Sequence, residues 1–205
     1  MTDNGEKNGR MTLLLIAGIP LIMILASTWL WFYVASGKVD LVDVLGTANK
    51  GTLLPSPVSL EELSVTNADG LRFSATRSAE PMWRILIPVT QSCAERCLET
   101  LHYTRQIHAA MGKYRVRIDR LGLLAGIDAN SSLAERLGRD YPELQLLYTS
   151  SAEFEAAFAQ ISADDQVPSY YVVDPYGWLM LAYSAADDGK DVMADLKFLL
   201  KNSNG

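Results

Sequence analysis

Cys93 and Cys97 are the two cysteines of this 205-residue chain, and they stand four positions apart in VTQSCAERCLETL, Val89 to Leu101. Four residues along a helix bring two side chains to one face, with Cα atoms about 6 Å apart, a separation a disulfide tolerates. Thiolates so placed can exchange disulfides or hold a soft metal ion such as Cu(I). Two cysteines can also be inert, because the free side chain packs well in a core. The unpaired N–H groups and the positive dipole end of a helix's first turn favour a thiolate. Arg96 adds positive charge there and Glu95 cancels it, so the immediate neighbours are neutral in the matter.

The elements around the pair set its position. Arg84 to Val89, RILIPV, is an apolar run of strand length. Cys93 to Met111 then has helical spacing, with Cys97, Leu101, Ile107 and Met111 near one face and Gly112 as the terminating glycine. Tyr114 to Ala125 reads as a strand. Ser131 to Arg139 reads as a helix capped by Ser131 or Ser132, with Glu135 near the capping-box position. Leu144 to Tyr148 is a further strand and Ser151 to Ile161 a further helix. Tyr170–Asp174 and Trp178–Tyr183 read as two strands about the turn Pro175-Tyr176-Gly177. Val192, Leu196, Leu199 and Leu200 mark a last amphipathic helix. Strands alternating with helices, closed by a hairpin and a helix, predict an α/β domain over residues 81–205, with helices packed on a mixed sheet.

The compartment decides what the thiols can do. From Met11 to Ala35 no charged residue occurs, and about 20 apolar residues in a helix suffice to cross a bilayer core. Trp29, Trp31 and Tyr33 gather at its far end, as amphipathic rings do at headgroup level. A cleavable leader has an apolar core of only about 7–15 residues, so 11–35 reads as a retained anchor. Lys7 and Arg10 precede it and Lys38 follows it, which favours a cytoplasmic segment 1–10 and a periplasmic remainder in a bacterium. In that oxidising space a disulfide becomes plausible. Residues 36–80 carry Gly, Asn and Pro punctuation and read as an extended linker. A short hairpin of 60–65 with 71–75 fits around Asn67-Ala68-Asp69-Gly70. Net charge is −6 and no basic run occurs, which sets nucleic acid aside as a partner.

Strand, cysteine pair and helix, followed later by Val167-Pro168-Ser169-Tyr170-Tyr171-Val172-Val173-Asp174-Pro175-Tyr176-Gly177, resemble the thioredoxin superfamily. Within it, the four-residue cysteine spacing with Thr90 just upstream resembles the membrane-anchored Sco-type (SenC) cytochrome c oxidase assembly proteins of proteobacteria. The resemblance implies a thioredoxin-like mixed sheet behind one N-terminal transmembrane helix. It implies Cys93 as exposed thiolate, Cys97 as resolving sulfur and Pro168 as a cis-proline wall beside them. It also implies Cys93 and Cys97 as Cu(I) ligands, a periplasmic client such as an oxidase subunit, and location in the bacterial inner membrane. Two residues depart from the family. Leu98 stands where the family has proline, and Pro175 stands where the family has the histidine that is its third copper ligand, with no other histidine as a ready counterpart. His102 lies well over 90° around the helix from Cys97, and His108 lies about 22 Å along it from Cys93. The same plan also suits a general periplasmic thiol–disulfide oxidoreductase, or a non-catalytic assembly scaffold with a structural disulfide.

Overall fold

The uncharged stretch 11–35 lies within a helix, α1, that spans Asp3–Ala35 in the computed structural model. The structure describes residues 3–35, 49–54, 56, 58–77, 80–91, 93, 95–159, 161 and 169–203. Leu14–Tyr33, 20 residues with a mean hydropathy of 2.1, are long and apolar enough to cross a membrane. The Ser27 and Thr28 hydroxyls both donate to the Ile24 carbonyl, at 3.0 and 2.7 Å, so neither asks for a partner that lipid cannot supply.

From Asn49 onward the chain forms a separate unit built on six strands in the order β1-β6-β5-β2-β3-β4. They are β1 (Thr52–Leu53), β2 (Trp83–Val89), β3 (Ile118–Ala125), β4 (Leu144–Thr149), β5 (Tyr170–Val173) and β6 (Leu179–Tyr183). The helices are α2 (Glu95–Ala110), α3 (Ser132–Asp140), α4 (Ser151–Phe158) and α5 (Gly189–Asn202). β2, β3 and β4 pair in parallel, because a helical crossover returns the chain between each pair. β5 and β6 form an antiparallel hairpin, and β5 pairs antiparallel with β2. This is the mixed, helix-flanked sheet that the alternation of elements predicts.

Alternate residues of the strands feed two cores. Ile85, Ile87, Val89, Leu124 and Val172 face Leu101 and Ile107 of α2, Leu137 of α3, and Val192 and Leu196 of α5. Leu86, Leu121, Leu123, Leu147 and Val173 face Leu60, Leu63 and Val65 from upstream and Phe158 of α4. The helix starts are capped as their sequences prescribe. Ser131 accepts from the Ala134 N–H, and Asp188 accepts from the Lys190 N–H. Ser150 accepts from the Glu153 N–H while its own hydroxyl donates to the Glu153 carboxylate.

Several boundaries differ from the sequence expectation, among them α4, which ends at Phe158 rather than Ile161. The strand predicted from Tyr114 begins only at Ile118, because Gly112, at φ +58°, leads into a 3-10 turn over Gly112–Arg117. Val116, which alternation would turn inward, is 76% exposed. The cysteine helix begins at Glu95 rather than Cys93. The backbone of Cys93 instead closes a tight turn, its N–H bonding the Thr90 carbonyl at 2.9 Å.

The described residues between 49 and 77, within the stretch expected to be linker, pack on the sheet. The N–H groups of Lys50 and Gly51 donate to the Asp195 carboxylate at 2.8 and 2.9 Å, and the Tyr183 hydroxyl donates to it at 2.8 Å. Gly51 is required by this contact, since a Cβ there would lie 2.4 Å from the Tyr183 ring. Beyond it β1 pairs with β6. Thr66 bridges Arg72 about the turn 67–70, in which Gly70 has φ +76°. Thr66 also exchanges two backbone hydrogen bonds with Tyr148 at the edge of the sheet, covering part of an edge that would otherwise invite pairing. Arg84, buried in β2, donates to the carbonyls of Ala75, Met82 and Asp174 and so ties this upstream segment to the β5–β6 turn. Burial lowers its pKa, with Asp119, Asp174 and Glu61 opposing.

Asp195→Ala leaves the Tyr183 hydroxyl and two backbone N–H groups without their acceptor, with an expected cost of about 2–4 kcal/mol. Thermal unfolding of the full chain in detergent measures it. Amide exchange at 50–51 should accelerate together with the loss, and an unchanged melting point with unchanged exchange would contradict the assignment.

Candidate functional site

The end of β2 determines where the cysteines stand. Val89 pairs with Leu124 near the carboxyl end of β3, and the chain then turns at Thr90 toward α2. Gln91 reaches across to donate to the Gly126 carbonyl at 2.8 Å, which fastens the turn to the loop after β3. Cys93 and Cys97 are joined in a disulfide with Cα atoms 5.2 Å apart. Both are half-buried and pack against the core beneath α2. Cys97 occupies the first turn of the helix, where N–H groups lack intrahelical partners. Cys93 is presented by the preceding loop. The two sulfurs therefore differ in surroundings, one held by a helix start and one by a turn. Beside this loop, at the carboxyl ends of β3 and β4, lies an open groove of about 470 Å³, lined by Thr66, Asn67, Gly126, Asp128, Tyr148 and Ser150 among others. Burial raises the pKa of Tyr148.

The inner face of α2 is more polar than its spacing suggests. Thr100, Thr104 and His108 are buried along it. Arg120 of β3, 1% exposed, donates to the Leu101 carbonyl at 2.7 Å and to the Thr104 hydroxyl at 3.0 Å. Burial first, then Arg105, pulls the Arg120 pKa down to about 10, so the guanidinium stays charged at neutral pH. Sequence reasoning missed this residue. Its one signal is a charge set among apolar neighbours in IDRLGLLA, which a strand edge would explain equally well.

The histidines behave differently from each other. His102 is exposed, with Nε2 2.9 Å from the Gln106 amide nitrogen. His108 is 8% exposed, and its Nε2 lies 2.8 Å from the Ile118 carbonyl oxygen. His108 lies in the last turn of α2 and Cys97 in its first, which keeps the imidazole away from the cysteine pair whichever ring nitrogen is free. Among the described residues no group of three or more His, Cys, Asp or Glu side chains is placed to hold a metal ion. The sulfurs of Cys93 and Cys97, once reduced, are thiolates that could hold a soft metal ion. Pro168 lies outside the described residues. β5 runs antiparallel to β2 with Tyr171 opposite Leu86, so β5 starts at the end of β2 from which the cysteine turn departs.

A family model described as transmembrane-like, thioredoxin-like, C-terminal domain matches residues 83–203. No curated protein matches the chain. Yeast Sco1 with copper bound is similar in structure at a TM-score of 0.56 and 18% identity, over 78% of this chain and 97% of that one. A SCO1/SenC family lipoprotein from Bacillus anthracis str. Ames has a TM-score of 0.54 at 18% identity, over 72% and 99% of the two chains. BsSco, described as a member of the Sco family of cytochrome c oxidase assembly proteins with a disulfide switch, has a TM-score of 0.53 at 16% identity, over 73% and 97%. At such identities the shared property is the fold.

The two histidines supply a direct check of the geometry. His108→Ala removes a buried side chain and its bond to the Ile118 carbonyl, with an expected cost of about 2–3 kcal/mol. His102→Ala should move stability by less than about 0.5 kcal/mol. Should the reduced chain take up Cu(I), neither change should alter the amount, and loss of uptake in either variant would contradict the non-ligand role of the histidine it removes.

Proposed function

This chain belongs to the family of transmembrane-like, thioredoxin-like C-terminal domains, and on that footing we propose that it is a membrane-anchored thiol–disulfide factor assisting cytochrome c oxidase assembly. The observation that carries the reading is the Cys93–Cys97 disulfide at the junction of β2 and α2. Lys7 and Arg10 ahead of the apolar span Leu14–Tyr33, against Lys38 after it, favour a periplasmic domain. The likeness in fold to Sco proteins, one of them described as an oxidase assembly protein with a disulfide switch, supports an oxidase subunit as client.

In the exchange, a thiolate of the partner attacks the sulfur of Cys93. The S–S bond breaks and its electron pair stays on the sulfur of Cys97. The partner's second thiolate then attacks the partner sulfur joined to Cys93, closing the partner's disulfide and releasing Cys93. Two electrons pass from the partner dithiol to this chain, and its two protons reach the new thiols through solvent. Run backward, the same steps reduce a partner disulfide. Pro168 is assigned the wall that positions the partner's strand. The start of α2 favours Cys97 as the departing thiolate, because the helix's N-terminal field stabilises negative charge there.

A second reading is Cu(I) handling by the reduced pair. Its support is the chemistry of two thiolates, which suits that ion, and the copper-bound state of the structurally similar yeast protein. Without a third ligand among the described residues the ion would sit in a two-sulfur site, open to transfer.

The disulfide of the full chain in detergent should equilibrate with glutathione or dithiothreitol buffers, with a potential above about −300 mV. A disulfide that stays closed below that value is a structural staple and contradicts the exchange reading. Exchange at a useful rate with unrelated disulfide clients would favour a general oxidoreductase. Anaerobic reduced chain should bind one equivalent of Cu(I), lost in Cys93→Ser. Failure to bind removes the second reading and leaves the first intact.

A further inference from the structure

Tyr170 opens β5 and is 0% exposed, yet its hydroxyl has no hydrogen-bond partner among the described residues. An unpaired buried hydroxyl costs about 1–3 kcal/mol, and phenylalanine would fill the same space without that cost. Its aromatic neighbours are satisfied. Tyr183, stacked on it with ring centroids 5.4 Å apart, donates to Asp195, and Tyr103 donates to the Asp187 carbonyl at 2.9 Å. Burial, with Tyr103 and Asp187 adding to it, holds the Tyr170 phenol protonated far above its ordinary range, so a donor is present there at any physiological pH.

Its position suggests what the donor serves. Leu86 pairs with Tyr171, so Tyr170 stands beside the last residues of β2, from which the cysteine turn departs. Its ring belongs to the same core as Ile87 and Val89, the core against which Cys93 and Cys97 pack. A sulfur in a disulfide is a poor hydrogen-bond acceptor. A sulfur carrying the electron pair of the broken bond is a strong one. We propose that the Tyr170 hydroxyl is a donor held in reserve for the reduced sulfur of Cys97, idle while the disulfide is closed and engaged when it opens. The phenol keeps its proton and contributes a hydrogen bond to the electron pair that the S–S bond leaves behind. The cost of the idle hydroxyl falls on the oxidised state and the gain on the reduced state. Both shift the pair toward reduction. This inference rests on the exchange reading above.

The test is Tyr170→Phe in the full chain in detergent, with the dithiol–disulfide equilibrium read by alkylation and mass. The oxidised variant should melt at the wild-type temperature or higher. Its equilibrium should move about three- to tenfold toward the disulfide, a potential about 15–30 mV more negative. Tyr183→Phe, which loses a satisfied bond to Asp195, should lower the melting temperature and leave the potential unchanged. A wild-type potential in folded Tyr170→Phe overturns the proposal while leaving the exchange reading in place. An equal shift in Tyr183→Phe also overturns it. A wild-type disulfide that no dithiol buffer opens overturns both readings.

Discussion

β2 is covered on both faces, and that burial constrains everything near the cysteines. All of its residues but Pro88 are buried, with one core beneath α2, α3 and α5 and the other beneath the upstream segment and α4. A strand sealed on both sides and paired along both edges must release its chain at an end. For β2 that end is the carboxyl rim of the sheet, where Thr90 turns and α2 begins. Two cysteines encoded just there arrive at the rim with one flank on the core and the other toward solvent. Open α/β sheets expose ligand-accessible chemistry at this rim for the same topological reason.

The polar groups inside the domain divide by how fully they are satisfied. Arg84 spends its charge on three carbonyls and joins three chain segments. Asp195 collects donors from the upstream chain and from β6, so the domain is closed on that side by a single buried carboxylate. Losing one partner of such a group costs more than the bond was worth, because the other partner stays buried. Arg120 is less complete, since its Nε finds no partner among the described residues. The cysteine helix thus lies on a cation bonded only to neutral acceptors. Its interior polarity makes α2 a poor match to a purely apolar packing surface, and hydrogen bonds to Leu101 and Thr104 take up part of that load.

Much of this was legible in the residues. Strand-length apolar runs split by helical spacing announced the mixed sheet, because period 2 and period 3.6 leave different marks. Serine at 131 and glycine at 112 marked helix ends through capping and left-handed backbone. The Asn67–Gly70 turn carried its own chemistry. What stayed hidden depended on distant contacts. Nothing in Lys50-Gly51 announces a buried carboxylate 144 residues later, so the start of the domain reads as linker. Arg120 and His108 look like surface residues in a one-dimensional pattern, and only their acceptors across the α2–β3 interface explain their burial. The cysteine spacing allowed for the disulfide but placed Cys93 on the helix, since a pattern cannot distinguish a first turn from the loop that feeds it.

The asymmetry between the two sulfurs is the claim on which the functional account stands, and trapping tests it most directly. In Cys97→Ser the loop sulfur of Cys93 has no partner to resolve an attack. Exposed to glutathione disulfide in native membranes, that variant should accumulate a stable mixed disulfide on Cys93, while Cys93→Ser should form far less on Cys97. Equal adducts on both would contradict the asymmetry of the two sulfurs, and none on either would mean that the pair is not presented to visiting thiols at the rim of the sheet.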